Sequence, residues 1–277
     1  MRIGMGKWSS VAFASAVLSV AFVSGAQAAA LDCTASCTSV SYGGAVFTTV
    51  DQQSTGTGVI SSFVRISDGS PNTGLEVDGH NSDGRPLLND ENTSPTFTHD
   101  LQIANIPTQT INGVIYYEFL LDINQTSNDP GLTLDELQIC TSASGDLLAA
   151  DTCPGTLRYD LDALAGGDGA IALNYNLNSG SGSGDLLVYI PQSLLGTNGS
   201  TYVYLYSLFG SNSTGFAKAG YTGGFDNNDG FEEWAVRLGN QEIPPPPTNI
   251  PEPASMLLFG TGLVGVARLA RKRFSAR

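Results

Sequence analysis

The chain has 277 residues, with 26 acidic and 12 basic side chains and a formal net charge of −14. The stretch from Ala29 to Ile250 holds 25 of the acids and only five basic residues, so its formal charge is −20. A surface of this sign repels nucleic acid and anionic lipid, which excludes a nucleic-acid-binding role. Between the two ends of the chain lie about 215 residues, enough for one large β domain or two small ones.

The first 28 residues read as a cleavable signal peptide. Two basic residues precede an apolar run from Val11 to Val23, and Ala26 and Ala28 frame a small-x-small cleavage site for signal peptidase. The apolar run is too short for a typical membrane-spanning helix. We therefore expect residues 1–28 to be removed during export; a retained N-terminal anchor is the alternative.

Four cysteines follow the expected cleavage site: Cys33, Cys37, Cys140 and Cys153. Export places them in an oxidising compartment, where disulfides form and persist. Three pairings are possible, and proximity along the chain favours Cys33–Cys37 with Cys140–Cys153. A metal site is the competing interpretation, but it would require CxxC-like spacing or histidine partners, which the sequence lacks.

The region 29–242 is predicted to be an all-β ectodomain. Its apolar residues repeat with a period of two, most clearly from Val114 to Asn124, and this alternation is typical of antiparallel strands with one buried face. Turn-forming Gly, Asn, Asp and Ser residues fill the gaps. About ten short strands with such turns predict a jelly-roll-like antiparallel β-sandwich. The other predicted strands are 45–50, 59–67, 97–103, 134–140, 157–161, 171–177, 185–190, 202–207 and 232–238.

The ectodomain is followed by a proline-rich linker, residues 243–249. The run Pro244–Pro247 lacks amide donors and favours an extended polyproline II conformation. Such a spacer is expected to hold the domain away from the surface on which the tail lies.

The tail, residues 250–277, is predicted to enter a membrane. Ala254–Ala267 carries no charge, and a helix over 254–270 approaches the length needed to cross a bilayer. The tip, residues 268–277, is basic and should remain in the cytoplasm, which places the ectodomain on the outer side. The basic residues that set this orientation are Arg268, Arg271, Lys272 and Arg273.

The order of features in this tail resembles the PEP-CTERM sorting signal. Pro251, Glu252 and Pro253 precede the short apolar helix and the terminal basic cluster, while Ile250 replaces the usual valine. The resemblance implies recognition by an exosortase-type membrane enzyme, in a Gram-negative-type bacterium that makes extracellular polysaccharide. An ordinary C-terminal membrane anchor is the alternative.

The ectodomain resembles uncharacterised β-rich domains that accompany such tails, and this resemblance implies no activity. The similar stretches are Phe63–Ser67, Asp78–Pro86, Tyr116–Gln125 and Gly230–Val236.

The search for catalytic residues yields no constellation. His80 and His99 are the only histidines, and the G-x-S-x-G motif of a nucleophilic serine is absent from the sequence. Two carboxylate pairs could in principle serve a glycosidase, namely Glu118 with Asp122 and Glu232 with Glu233. In so acidic a chain such pairs arise by chance, so we expect neither catalytic residues nor a cofactor.

Calcium is the cation best suited to the oxygen-rich loops. One candidate is Asp226–Gly230 with Glu232 and Glu233, although the EF-hand pattern fails because Phe225 stands where the first Asp should be. A second acidic region comprises Asp78, Asp83, Asp90 and Glu91. Solvated acidic turns are the preferred explanation of both regions, so no metal ligand is predicted.

Three functions follow from these features. The preferred one is a surface or matrix protein that starts in the inner membrane, with its ectodomain outside, and ends at the cell surface or in the medium. The second is a carbohydrate-binding module for extracellular polysaccharide, with Tyr202, Tyr204, Tyr206 and Trp234 as stacking faces. The third is an extracellular polysaccharide hydrolase.

Overall fold

In the computed structural model the described residues are 30–37, 40–49, 60–67, 76–163, 169–180, 184–210 and 224–237. They form fourteen strands and one short helix, so this part of the chain is mostly β, as its period-two patterns predict. The strands are β1 Ala30–Asp32, β2 Val40–Tyr42, β3 Ala45–Thr49, β4 Ile60–Ile66, β5 Val77–His80, β6 Leu101–Gln102, β7 Thr108–Ile111, β8 Val114–Asp122, β9 Gly131–Ser142, β10 Thr156–Asp160, β11 Ala170–Asn174, β12 Leu186–Pro191, β13 Tyr202–Phe209 and β14 Glu232–Arg237; the helix, α1, is Gln192–Leu195.

The strands form two sheets of seven. In sheet A the order is β1-β11-β9-β13-β5, with β10 beside β9 and β6 beside β13. In sheet B the order is β2-β3-β12-β8-β14-β4, with β7 beside β8. Strands that are distant in the sequence therefore lie next to each other, so residues far apart along the chain meet at the strand ends.

One apolar core joins the two sheets. Phe119 of β8 and Trp234 of β14 in sheet B share it with Leu134 of β9 and Val203 of β13 in sheet A, and all four side chains are fully buried. Strand β8 shows how the pattern works: Tyr117, Phe119 and Leu121 enter the core, whereas Glu118, Leu120 and Asp122 face the other side of sheet B.

Three features differ from the sequence predictions. The predicted strand over 171–177 ends at Asn174, and its last three residues form a 3₁₀ helix, Tyr175–Leu177. Strand β1 pairs with β11 in parallel at the edge of sheet A, while the other pairs among the described strands are antiparallel. The predicted strand over 97–103 is wrong for its first half, because Phe97 and Thr98 bond back to Ser94 in a turn and the strand contains only Leu101 and Gln102. In this turn Thr98 is fully buried, whereas Phe97 and His99 are only partly buried, so the predicted buried face is not formed.

Among the described residues, no helix has the length and apolar character needed to cross a membrane. The predicted membrane helix at 254–270 lies outside these residues, as do the signal peptide and the linker.

Candidate functional site

The residues predicted to direct export and sorting lie outside the described part of the chain. These are Ala26, Ala28, Pro251, Glu252, Pro253, Arg268, Arg271, Lys272 and Arg273. The last described residue before the tail is Arg237 at the end of β14, and its guanidinium bonds the buried Glu118 carboxylate of β8. This ion pair joins the end of β14 to β8.

Both favoured disulfides are present. Cys33 bonds Cys37 near the edge of sheet A, and Cys140 bonds Cys153 across the loop that follows β9. The second bond holds the segment 143–155 against the outer face of sheet A, and in the chain-entropy model a loop of this size contributes about 3 kcal/mol. The disulfides therefore brace the edge and the outer face of sheet A.

The aromatic residues considered as sugar-stacking faces are not available for that role. Tyr204, Tyr206 and Trp234 are almost completely buried, and Tyr202 is partly covered. The Tyr204 hydroxyl donates to the Ser144 carbonyl at 3.0 Å, beneath the disulfide-braced segment. The Trp234 indole N–H donates to the Ser207 hydroxyl at 2.9 Å between the sheets. Packing, rather than stacking on a ligand, accounts for their positions.

The two carboxylate pairs considered for hydrolysis are also engaged elsewhere. Glu118 pairs with Arg237, and Glu233 pairs with Arg65 at 2.6 Å. Glu232 is the first residue of β14 and faces away from Glu233, accepting hydrogen bonds from the Asn124 amide and the Gln125 side chain. Neither pair presents two carboxylates to a common substrate position.

His80 is a core residue at the end of β5. Its side chain is fully buried, and its Nδ1 lies 3.2 Å from Oε1 of the equally buried Glu91. The same Glu91 oxygen accepts the His80 amide at 3.0 Å, and the Asn89 amide donates to the other oxygen. Burial raises the pKa of Glu91, but bonds from His80 outweigh it and the net pKa is lowered. This network stabilises the edge of sheet A.

The acidic loop 226–230 serves to join neighbouring loops. The Asn228 side-chain oxygen accepts the Thr126 amide at 2.8 Å, and its amide group donates to the Asp129 carbonyl at 2.7 Å. The Asn228 backbone amide donates to Gln125. Glu233 pairs with Arg65, and within the described residues the acids of this loop do not form a group of three whose oxygens lie within 4.8 Å of one another.

A different set of acids does converge. Oxygens of Asp83, Asp100 and Asp146 lie within 4.8 Å of one another at the surface. Asp100 accepts the backbone amide of Asp146 at 2.8 Å and that of Asp83 at 3.2 Å, so it ties two loops together. The three residues are far apart in the sequence and form no recognisable metal-binding motif. Only Asp83 was named as part of an acidic region in the sequence analysis.

The outer face of sheet A carries carboxyl groups with raised pKa values. Burial raises the pKa of Asp78 to about 6; a hydrogen bond from Tyr206 opposes this rise, and the Asp90 carboxylate adds to it. Burial, together with the nearby Asp162, raises the pKa of Glu136 to about 7. The folded domain therefore binds protons more strongly than the unfolded chain in this region.

A polar pocket of about 360 Å³ opens at one end of β9 and β10. Its lining contains hydroxyl groups of Thr141, Ser142, Thr156 and Ser200 beside the Arg158 guanidinium. Arg158 Nε donates to Thr141 Oγ1 at 2.7 Å, and within the described residues its Nη atoms have no hydrogen-bond partner. This is a site at which a basic group faces solvent in an otherwise acidic domain.

Comparison with known families identifies the tail. Residues 249–273 match the PEP-CTERM protein-sorting motif, in agreement with the sequence prediction. The motif marks an exported protein that is anchored through its C terminus and recognised by an exosortase-type membrane enzyme. Neither the curated proteins nor the solved structures contain a significant match to this chain.

Proposed function

We propose that this chain is a non-catalytic protein of the cell surface or extracellular matrix of a polysaccharide-producing bacterium. Its ectodomain is a jelly-roll-like β-sandwich, held outside the inner membrane by the tail until processing releases it to the surface. The observation that carries the proposal is the sorting motif at 249–273, placed behind a linker and a disulfide-braced two-sheet domain. Two sheets with one shared core support the sandwich assignment.

Replacing Pro251, Glu252 and Pro253 together by alanine is expected to block processing of the tail. The substitution raises the helix propensity of the segment before the apolar run and removes the charged residue at the membrane boundary. The chain then no longer presents an extended segment for the enzyme to recognise. Intact-mass spectrometry and cell fractionation should then show the uncleaved tail and retention of most of the protein in the inner membrane.

The matched control replaces Pro245 and Pro247 of the linker by alanine, which changes two prolines without touching the motif. We expect wild-type mass and location for this control. If the motif variant has the same mass and location as wild type, the tail acts as a plain anchor and the proposal is wrong.

Saccharide binding is a second candidate function, favoured by the Arg158 pocket rather than by the buried tyrosines. Hydroxyl and amide groups suit a sugar ring, and a guanidinium with unused N–H donors suits a carboxylate. The pocket thus fits an acidic sugar unit. Each charge-assisted hydrogen bond of this kind contributes about 1.5–3 kcal/mol.

Arg158→Ala is expected to weaken binding of glucuronate-containing oligosaccharides by about tenfold or more, since about 1.4 kcal/mol corresponds to a factor of ten. A titration followed by NMR measures this change, with neutral glucose oligosaccharides as the matched ligand control. Equal affinity of wild type and variant, or no binding to either ligand, would remove this function.

A further inference from the structure

Three buried acidic residues meet at one end of three neighbouring strands in the middle of sheet B. Asp122 ends β8, Asp185 immediately precedes β12, and Glu232 begins β14. Strands β12 and β14 flank β8 on its two sides and run antiparallel to it. The three side chains are 3%, 6% and 0% exposed. The topology therefore places three buried carboxyl groups at the same end of these three strands.

Backbone hydrogen bonds interlock the two aspartates. The Asp185 amide donates to the Leu121 carbonyl at 2.7 Å, and the Ile123 amide donates to Asp185 Oδ2 at 2.8 Å. Asp185 therefore lies beside the residues on both sides of Asp122. In return, the Gly184 amide donates to Asp122 Oδ1 at 3.2 Å. The two carboxyl groups are held side by side by backbone.

One oxygen of this arrangement lacks a partner. Asp185 Oδ1 is buried and makes no hydrogen bond within the described residues. Leaving such an atom unsatisfied costs about 1–3 kcal/mol, and more for a charged group. A buried polar atom of this kind normally indicates a bound ion, a water or a proton.

The lack of a basic partner for two of these buried carboxyl groups favours a bound cation. Elsewhere in sheet B the buried Glu118 and Glu233 each pair with an arginine, whereas in the described part of the chain neither Asp185 nor Glu232 forms an ion pair. Burial raises the pKa of Asp185 well above its usual value, and the Asp122 charge adds to the rise. Burial also raises the pKa of Glu232, as do Asp185 and Asp122.

We propose that Asp185 Oδ1 and the Asp122 carboxylate bind one Ca²⁺ ion at this end of the central strands of sheet B. A divalent cation would occupy the unpartnered Asp185 oxygen and offset the negative charge of the carboxyl group beside it. Hard oxygen ligands select Ca²⁺ over transition metals, and all four cysteines are consumed in disulfides. Glu232 keeps both oxygens on protein donors and contributes negative potential.

The surface cluster of Asp83, Asp100 and Asp146 is a weaker candidate. Its oxygens lie within 4.8 Å of one another, but Asp83 and Asp146 are exposed and both Asp100 oxygens accept backbone amides. Solvent can satisfy these carboxylates without a metal. This cluster provides a matched control for the buried site.

The test uses the full-length chain, extracted in mild detergent and stripped of metal with EDTA. Extracellular modules bind Ca²⁺ with dissociation constants on the order of 10⁻⁴–10⁻³ M. At about 10 mM Ca²⁺ we therefore expect the thermal midpoint to rise by about 3–10 °C. Terbium, added as a Ca²⁺ analogue, should show luminescence sensitised by Trp234, which lies two residues from Glu232 and is fully buried.

Asp185→Asn is expected to abolish both the midpoint shift and the terbium signal, while the double variant Asp83→Asn/Asp146→Asn keeps both. The wild-type comparison with and without Ca²⁺ needs no variant, so a folding defect of Asp185→Asn does not prevent a decision. An unchanged wild-type midpoint in Ca²⁺ would overturn the proposal and indicate a protonated aspartate pair. Loss of the signal in the surface double variant alone would also overturn it.

Discussion

Arg65→Met should destabilise the ectodomain by about 3–5 kcal/mol, because it leaves the buried Glu233 carboxylate without its counterion. Arg65 Nη2 and Nε donate to the same Glu233 oxygen at 2.6 and 3.0 Å. The guanidinium also lies 3.4 Å from the centre of the Phe97 ring and 3.9 Å from that of Phe231. Denaturant unfolding followed by Trp234 fluorescence measures the loss.

The double variant Arg65→Met/Glu233→Leu is the informative control. It removes both charges and fills the site with apolar side chains, so most of the stability should return. Arg65→Lys should fall between wild type and Arg65→Met, since lysine keeps the charge but not the planar contact with the two rings. Equal destabilisation by Arg65→Met and the double variant would show that packing alone, and not charge, explains the effect.

Lowering the pH from about 7.5 to about 5 should raise the thermal midpoint by on the order of 5 °C in the absence of Ca²⁺. In the folded domain the pKa of Asp78 is raised to about 6 and that of Glu136 to about 7, chiefly by burial. Both groups therefore bind protons more tightly in the folded state, and stability is lost as the pH rises through these values. Solvent reaches both side chains, so the effect is smaller than the full shifts imply.

The pH effect can be assigned with variants. Glu136→Gln should raise the midpoint at about pH 7.5 and flatten the profile, because the variant carries no charge to bury. Glu76→Gln, at an exposed position, is the matched control and should leave the profile unchanged. Glu91 acts in the opposite direction, since its pKa is lowered, but its contribution disappears only at more acidic pH. A midpoint that increases with pH over this interval would contradict the assignment.

Local patterns in the sequence were sufficient for the strands that cross the core. In β8 the alternation of Tyr117, Phe119 and Leu121 with Glu118 and Leu120 predicts both the strand and its buried face. The same kind of pattern failed over 97–103, where Phe97 and Thr98 donate to the Ser94 carbonyl in a turn and Thr98, rather than Phe97 or His99, is fully buried. An alternating pattern of apolar residues therefore does not by itself establish a strand, because a strand also requires a neighbouring strand to pair with.

The charged residues were the least predictable. Glu118, Asp122, Glu232 and Glu233 were considered as chance carboxylate pairs, yet all four are buried. Two of them find arginines that are more than 100 residues away in the sequence. No local rule predicts such partners, because strand order in a sheet brings together side chains that are unrelated along the chain.

The sequence alone determined the sorting tail, the acidity, the β character and the favoured disulfides, since each depends on neighbouring residues or on total composition. Only the tertiary structure decided which tyrosines are buried, which acids are neutralised, and that Asp122, Asp185 and Glu232 lie at the same end of three neighbouring strands. The physical reason is that sheet pairing sets long-range proximity, and proximity in a medium of low polarity determines whether a carboxyl group is paired, protonated or bound to a cation.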